Sequence, residues 1–94
     1  MKYHVAGTYF DEMIQSVEEA SSREEAIEKA IAYWHTTNYD PRGIEWRAES
    51  FEEMRQKMDP NGTGIESHGH SVDQILGSIE MACPFWDRGY YPNV

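Results

Sequence analysis

The stretch from Asp59 to His70 holds the densest run of side chains able to meet a metal ion. Asp59, Asn61, Thr63 and Ser67 occupy its first, third, fifth and ninth places and Gly64 its sixth, which is the oxygen spacing of a calcium-binding loop. The twelfth place, however, is His70, where calcium needs a bidentate carboxylate, and the eighth is Glu66 instead of an apolar residue. One carboxylate among the matched places holds a hard cation weakly, so these residues read as a turn-rich connection using Asn and Gly for positive φ, and no metal is expected. His68-Gly69-His70, together with Cys83 and with His4 or His35, offers borderline ligands for zinc, but the paired Cys spacings of a structural zinc site are absent. Cys83 could serve as a nucleophile only beside a histidine base, and its place on an apolar helical stripe reads instead as a buried structural thiol. The pairs Glu18-Glu19, Glu24-Glu25 and Glu52-Glu53 are sequence neighbours that cannot face one another across a substrate. No phosphate-cradling loop is present, because Gly62 and Gly64 lack a following Lys-Ser or Lys-Thr. No catalytic residue and no cofactor is therefore expected, and an enzyme ranks last among the function classes.

Charge says more than any motif. Asp and Glu outnumber Lys and Arg by 17 to 8, a formal charge of −9 on 94 residues, yet 13% of the chain is aromatic and it reads as a folded domain. Such a surface repels nucleic acid and anionic membrane and attracts basic grooves, so the expected partner is another protein. A chain of this length is expected to be one domain with a small core, 1–94, which favours a surface site over an internal cavity. The single Cys83 excludes an intramolecular disulfide, the N-terminal residues lack a signal-peptide pattern, and no stretch approaches a membrane span; the expected location is the cytoplasm.

The elements that must position these residues follow from periodicity. Tyr3, Val5 and Tyr9 alternate with Lys2, His4 and Thr8, and Asp11-Glu12 turns into a second run, Met13 to Ala20, predicting an antiparallel hairpin. Val17 falls on the face opposite Ile14 and Ser16, which predicts either an exposed Val17 or a bulge near Glu18-Glu19. Ser22-Arg23-Glu24-Glu25 is a capping-box pattern opening a helix whose Ala26, Ile27, Ala30, Ile31 and Trp34 form one stripe, ending near Asn38. Ile44, Trp46 and Ala48 point inward on a third strand. Ser50-Phe51-Glu52-Glu53 opens a short helix that Asp59-Pro60 stops, and Ser71-Val72-Asp73-Gln74 opens a third, with Val72, Ile75, Leu76, Ile79, Ala82 and Cys83 on one stripe up to Pro84. Ile65 to His68 is expected as a short edge strand. Residues 84–94 form an aromatic-rich C-terminal segment that either folds back over the core or presents anchors to a partner. The fold class is α+β: a small antiparallel sheet with two main helices and a short third.

The plan strand, strand, helix through Ala20-Ser21-Ser22-Arg23-Glu24-Glu25-Ala26-Ile27-Glu28-Lys29-Ala30, then strand, resembles the small acidic β-β-α-β proteins of phages and mobile elements over residues 2–48. Some anti-CRISPR inhibitors are similar in plan and acidity. The resemblance implies a host-defence inhibitor that docks on a nuclease complex and sets carboxylates where that complex expects phosphates. On this reading Asp11, Glu12, Glu18, Glu19, Glu24, Glu25 and Glu28 steer the encounter, and Trp86, Tyr90 and Tyr91 supply anchoring contact if the C-terminal segment is exposed. Two alternatives stay open: a protein sequestering a nucleotide signal through His68, His70, Arg88, Trp86 and Tyr90, and a homo-oligomeric structural or regulatory protein with Phe85 and Trp86 at the interface.

Overall fold

The computed structural model describes residues 1–9, 12–35 and 43–87. Strand β1 (Lys2–Tyr9) is central, paired antiparallel with β2 (Glu12–Glu19) on one side and with β3 (Glu45–Ser50) on the other. Alternation decides the faces: Tyr3 and Val5 point with Ile14, Ser16 and Ala48 to the buried side, and all five are at most 9% exposed. Helix α1 (Arg23–His35) connects β2 to β3 across that side. Its Ala26 and Ala30 pack with Tyr3, Val5, Ala20 and Ala48, and Ile27 and Trp46 lean on the same cluster. Two alanines one helical turn apart let the helix come close to the sheet. Glu24, Glu28 and Lys29 stay on its outer side, as the stripe requires.

Gly7 lies in the middle of β1, opposite Trp46. A Cβ there would stand 2.7 Å from Ile44 Cγ2 and 3.0 Å from the Trp46 ring, so the bare backbone is the floor on which the indole rests. The hairpin register runs unbroken from Lys2↔Glu19 to Tyr9↔Glu12, so no bulge forms; Val17 sits half-buried on the opposite face, beside His4.

Past β3 the chain enters α2 (Phe51–Met58) and then α3 (Val72–Ala82), which pack on each other. Val72 and Leu76 are the buried residues of α3, and Ala82, expected on its apolar stripe, is exposed because the helix ends there. Lys2, on the face away from Tyr3 and Val5, pairs with Glu80 of α3 at 2.7 Å. Pro84 follows through a cis Cys83–Pro84 bond, and Phe85–Asp87 forms β4 against β2, completing a sheet of order β3-β1-β2-β4. The class is α+β, as expected, but the fourth strand comes from a different segment. Ile65 makes one isolated bridge to Ser71 instead of opening a strand through His68. The reason is local: the Glu66 side chain accepts from the His68 and His70 amides and curls the segment into turns.

Candidate functional site

Lys2, Glu19 and Ser50 mark one end of the sheet, and the helices that follow β2 and β3 both begin there. Each start is fixed by its own sequence. Ser22 Oγ accepts from the Glu25 amide at 3.1 Å, but the Glu25 carboxylate turns one residue further back than a capping box requires, to Ser21 N at 2.6 Å and Ser21 Oγ at 2.9 Å. At α2 the box is complete: Ser50 Oγ accepts from Glu53 N at 3.0 Å, and Glu53 Oε1 accepts from Ser50 N at 2.9 Å. At α3 Ser71 Oγ accepts from Gln74 N at 3.3 Å. Arg23 joins the first two starts, donating to Glu53 Oε2 at 3.0 Å and to the Ala48 carbonyl on the outer side of β3.

The result is an acidic pole in which the cations are already engaged. Arg23 holds Glu53, and that guanidinium together with the Ser50 amide brings the Glu53 carboxyl down to about 2. Ser21 lowers Glu25 through its amide and hydroxyl. The Met1 amino group lowers Glu19. Lys57 pairs with Glu49, Lys2 with Glu80, and Lys29 donates to the Glu19 carbonyl. Glu18, Glu24, Glu28 and Glu52 make no ion pair with any described residue; the last three are exposed and Glu18 is half-buried. Glu24 and Glu28 stand one turn apart, about 6 Å along the α1 axis.

Of the carboxylates expected to act together, Glu18, Glu19, Glu24, Glu25 and Glu28 gather at or beside this pole. Glu12 does not: it pairs with Tyr9 at the other end of β2, seven residues or about 23 Å from Glu19. Asp11, Tyr90, Tyr91 and Arg88 lie outside the described residues, as does the Trp86 side chain, whose backbone pairs with Ile14. Sequence reading missed Glu52 and Glu53 as members of the pole. The pattern Ser50-Phe51-Glu52-Glu53 announced a helix start, but only the sheet topology sets that start beside the one at Arg23.

The Asp59 to His70 segment spends its acids on its own donors. Asp59 Oδ1 accepts from Thr63 N at 2.7 Å and from Thr63 Oγ1 at 3.1 Å, and Oδ2 from Gly64 N at 2.6 Å, so the Gly64 amide first and the Thr63 donors after it hold the carboxyl low. Gly62, Gly64 and Gly69 take φ values of 72°, 80° and 90°, the turn conformation that only glycine adopts at little cost. Glu66 is the second hub: its Oε1 accepts from His68 N, His70 N and His70 Nδ1, and its Oε2 from His68 Nδ1 at 3.2 Å. Burial pushes the Glu66 carboxyl upward, and the His70 and His68 donors overcome it and bring it to about 2. The oxygens of a cation cage are here wrapped around N–H groups, and among the described residues no group of three or more His, Cys, Asp and Glu is placed to hold a metal ion. Cys83 is partly buried, and that burial raises its thiol pKa, the opposite of what a nucleophile needs. No helix among the described residues is long and apolar enough to cross a membrane.

Compared with known protein families, with curated proteins and with solved structures, the chain finds no match.

Proposed function

We propose that this chain acts without turnover, as a stoichiometric inhibitor whose acidic pole docks on a basic, nucleic-acid-handling surface of a target protein. One observation carries the reading: Glu18, Glu24, Glu28 and Glu52 lie within about a helical turn of where β2 ends and α1 and α2 begin, without an ion pair to any described residue, while Arg23, Lys2, Lys29 and Lys57 each hold a partner of their own. Like charges held together raise the energy of the free protein, and a cationic groove relieves it. The rigid helix starts keep the order of the carboxylates fixed, so little conformational freedom is lost on docking. Within this class the β-β-α-β plan and the net charge of −9 favour a phage-encoded anti-CRISPR or related anti-defence protein acting in the host cytoplasm.

The test is a cleavage assay. The protein is mixed at increasing ratio with representative RNA-guided nuclease complexes before DNA is added. The reading expects loss of cutting at near-equimolar ratio for at least one complex, relieved when the same mixture is made at high salt. Uninterrupted cutting by every complex at a large excess of the protein would defeat it.

A further inference from the structure

A depression of about 360 Å³ opens beside β3, on the face away from Tyr3 and Val5, and its lining inverts the character of the chain. Arg23, Arg47 and Lys57 border it, three of the chain's eight Lys and Arg, together with His4 and two acids, Glu49 and Glu53. The register explains the grouping: His4 stands opposite Glu49 and Ala6 opposite Arg47 on one face of the β1–β3 pair, and Lys57 reaches in from α2 to Glu49. Both acids are spoken for, Glu53 by Arg23 and Glu49 by Lys57. Arg47 is exposed and has no ion pair with any described residue. His4 donates from Nε2 to Gln15 Oε1 at 2.7 Å, which fixes the ring over the same face.

We infer that this depression is an anion site for a small phosphate monoester, read by the Arg47 guanidinium with Lys57 and Arg23 behind it. Among the described residues the lining carries three fixed positive charges against two negative ones, a net formal charge of +1 in a protein whose net charge is −9. A guanidinium presents two parallel N–H groups that match two phosphate oxygens, and a tetrahedral dianion also profits from the ammonium next to it. The volume is at the lower end of those that hold small ligands. Among the described residues no Phe, Trp or Tyr lines it, so the phosphate carries the affinity. Ala6, on the same face as Arg47, gives the organic part of the ligand a small apolar contact. The site shares the Arg23–Glu53 and Lys57–Glu49 pairs with the acidic pole, but it is argued from Arg47 and would stand if the docking reading fell.

The test is a titration of the full chain with inorganic phosphate and then glycerol phosphate, followed by amide and Arg Nε–Hε NMR shifts, with chloride at matched ionic strength as the reference. Saturable shifts at Arg47, Ala48 and His4 are expected with both phosphates and not with chloride. Arg47→Ala should weaken binding about tenfold, the worth of one charge-assisted contact, and Arg47→Lys should recover part of it. Glu49→Gln should tighten binding by removing a like charge and releasing Lys57, an effect that loss of structure cannot mimic. Glu28→Gln, at a pole residue that does not line the depression, should leave it unchanged, which separates this site from the acidic pole. Non-saturating shifts equal to those of chloride, an Arg47→Ala variant that binds as well as the parent, or phosphate binding without glycerol phosphate binding would each overturn the assignment.

Discussion

Replacing Gly7 with alanine tests the packing at the centre of the sheet. The added Cβ would meet Ile44 Cγ2 at 2.7 Å and two atoms of the Trp46 ring at 3.0 Å each, where ordinary carbon contacts are about 3.5–4.0 Å. Neither neighbour is the loose end of a flexible chain: one is a branch methyl and the other a ring lying against the core. Overpacking of this kind costs about 1–3 kcal/mol. Removing a glycine from the unfolded chain returns about 0.4–1 kcal/mol. The net expectation is a loss of about 1–2 kcal/mol, and a domain of this size loses about 4–8 °C of Tm for each of those kcal/mol. Urea unfolding followed by far-UV circular dichroism and Trp fluorescence would measure it. In an Ile44→Ala background the nearest clash is gone, so the same substitution should cost less. A Gly7→Ala protein as stable as the parent, or an equal cost with and without Ile44, would refute the account of how Trp46 packs.

Further expectations follow from single groups. Ser16 is 3% exposed and its Oγ has no hydrogen-bond partner among the described residues, so Ser16→Ala should raise unfolding stability by about 1 kcal/mol in the same urea assay. Ser50→Ala removes the acceptor that caps α2 at a site 4% exposed and should cost about 1–2 kcal/mol, read by thermal melting. Glu53 and Glu66 both fall from 4.5 to about 2 in the folded chain, so their contribution to stability is complete above pH 4.5 and drains away as the pH drops towards 2. An acid-unfolding series should therefore show a decline in that window that is shallower in Glu66→Gln, and an equally steep decline in the variant would remove Glu66 from the explanation.

What the sequence revealed was what local spacing controls. The α1 stripe was readable because Ala26, Ala30 and Trp34 recur at helical intervals, and the hairpin because Tyr3 and Val5 alternate with Lys2 and His4. The glycines of the 59–70 segment marked turns correctly. Its hydrogen-bonding hub had a visible signature too, since Glu66 is followed by histidines two and four residues later, but nothing in that spacing says whether the side chains meet. The fourth strand could not be read: three residues after a proline are too few to show a period, and Phe85–Asp87 takes its strand form from the open edge of β2. The acidic pole was half legible. Glu24, Glu25 and Glu28 stood out as a run, whereas Glu53 meets Arg23 across thirty residues and Glu12 leaves the group because a strand carries it to the far end of the sheet.

The proposed docking mode is tested most directly by competition for a basic groove. Labelled DNA is bound to RNA-guided nuclease complexes, the protein is titrated in, and fluorescence anisotropy reports release. The account predicts that the parent displaces DNA from a complex it inhibits, and that a folded Glu24→Lys, Glu28→Lys, Glu52→Lys triple variant needs at least about tenfold more protein, the weight of one lost charge-assisted contact or more. DNA that stays bound to every complex in the presence of excess parent protein, or a triple variant that displaces it equally well, would contradict the claim that these carboxylates make the contact.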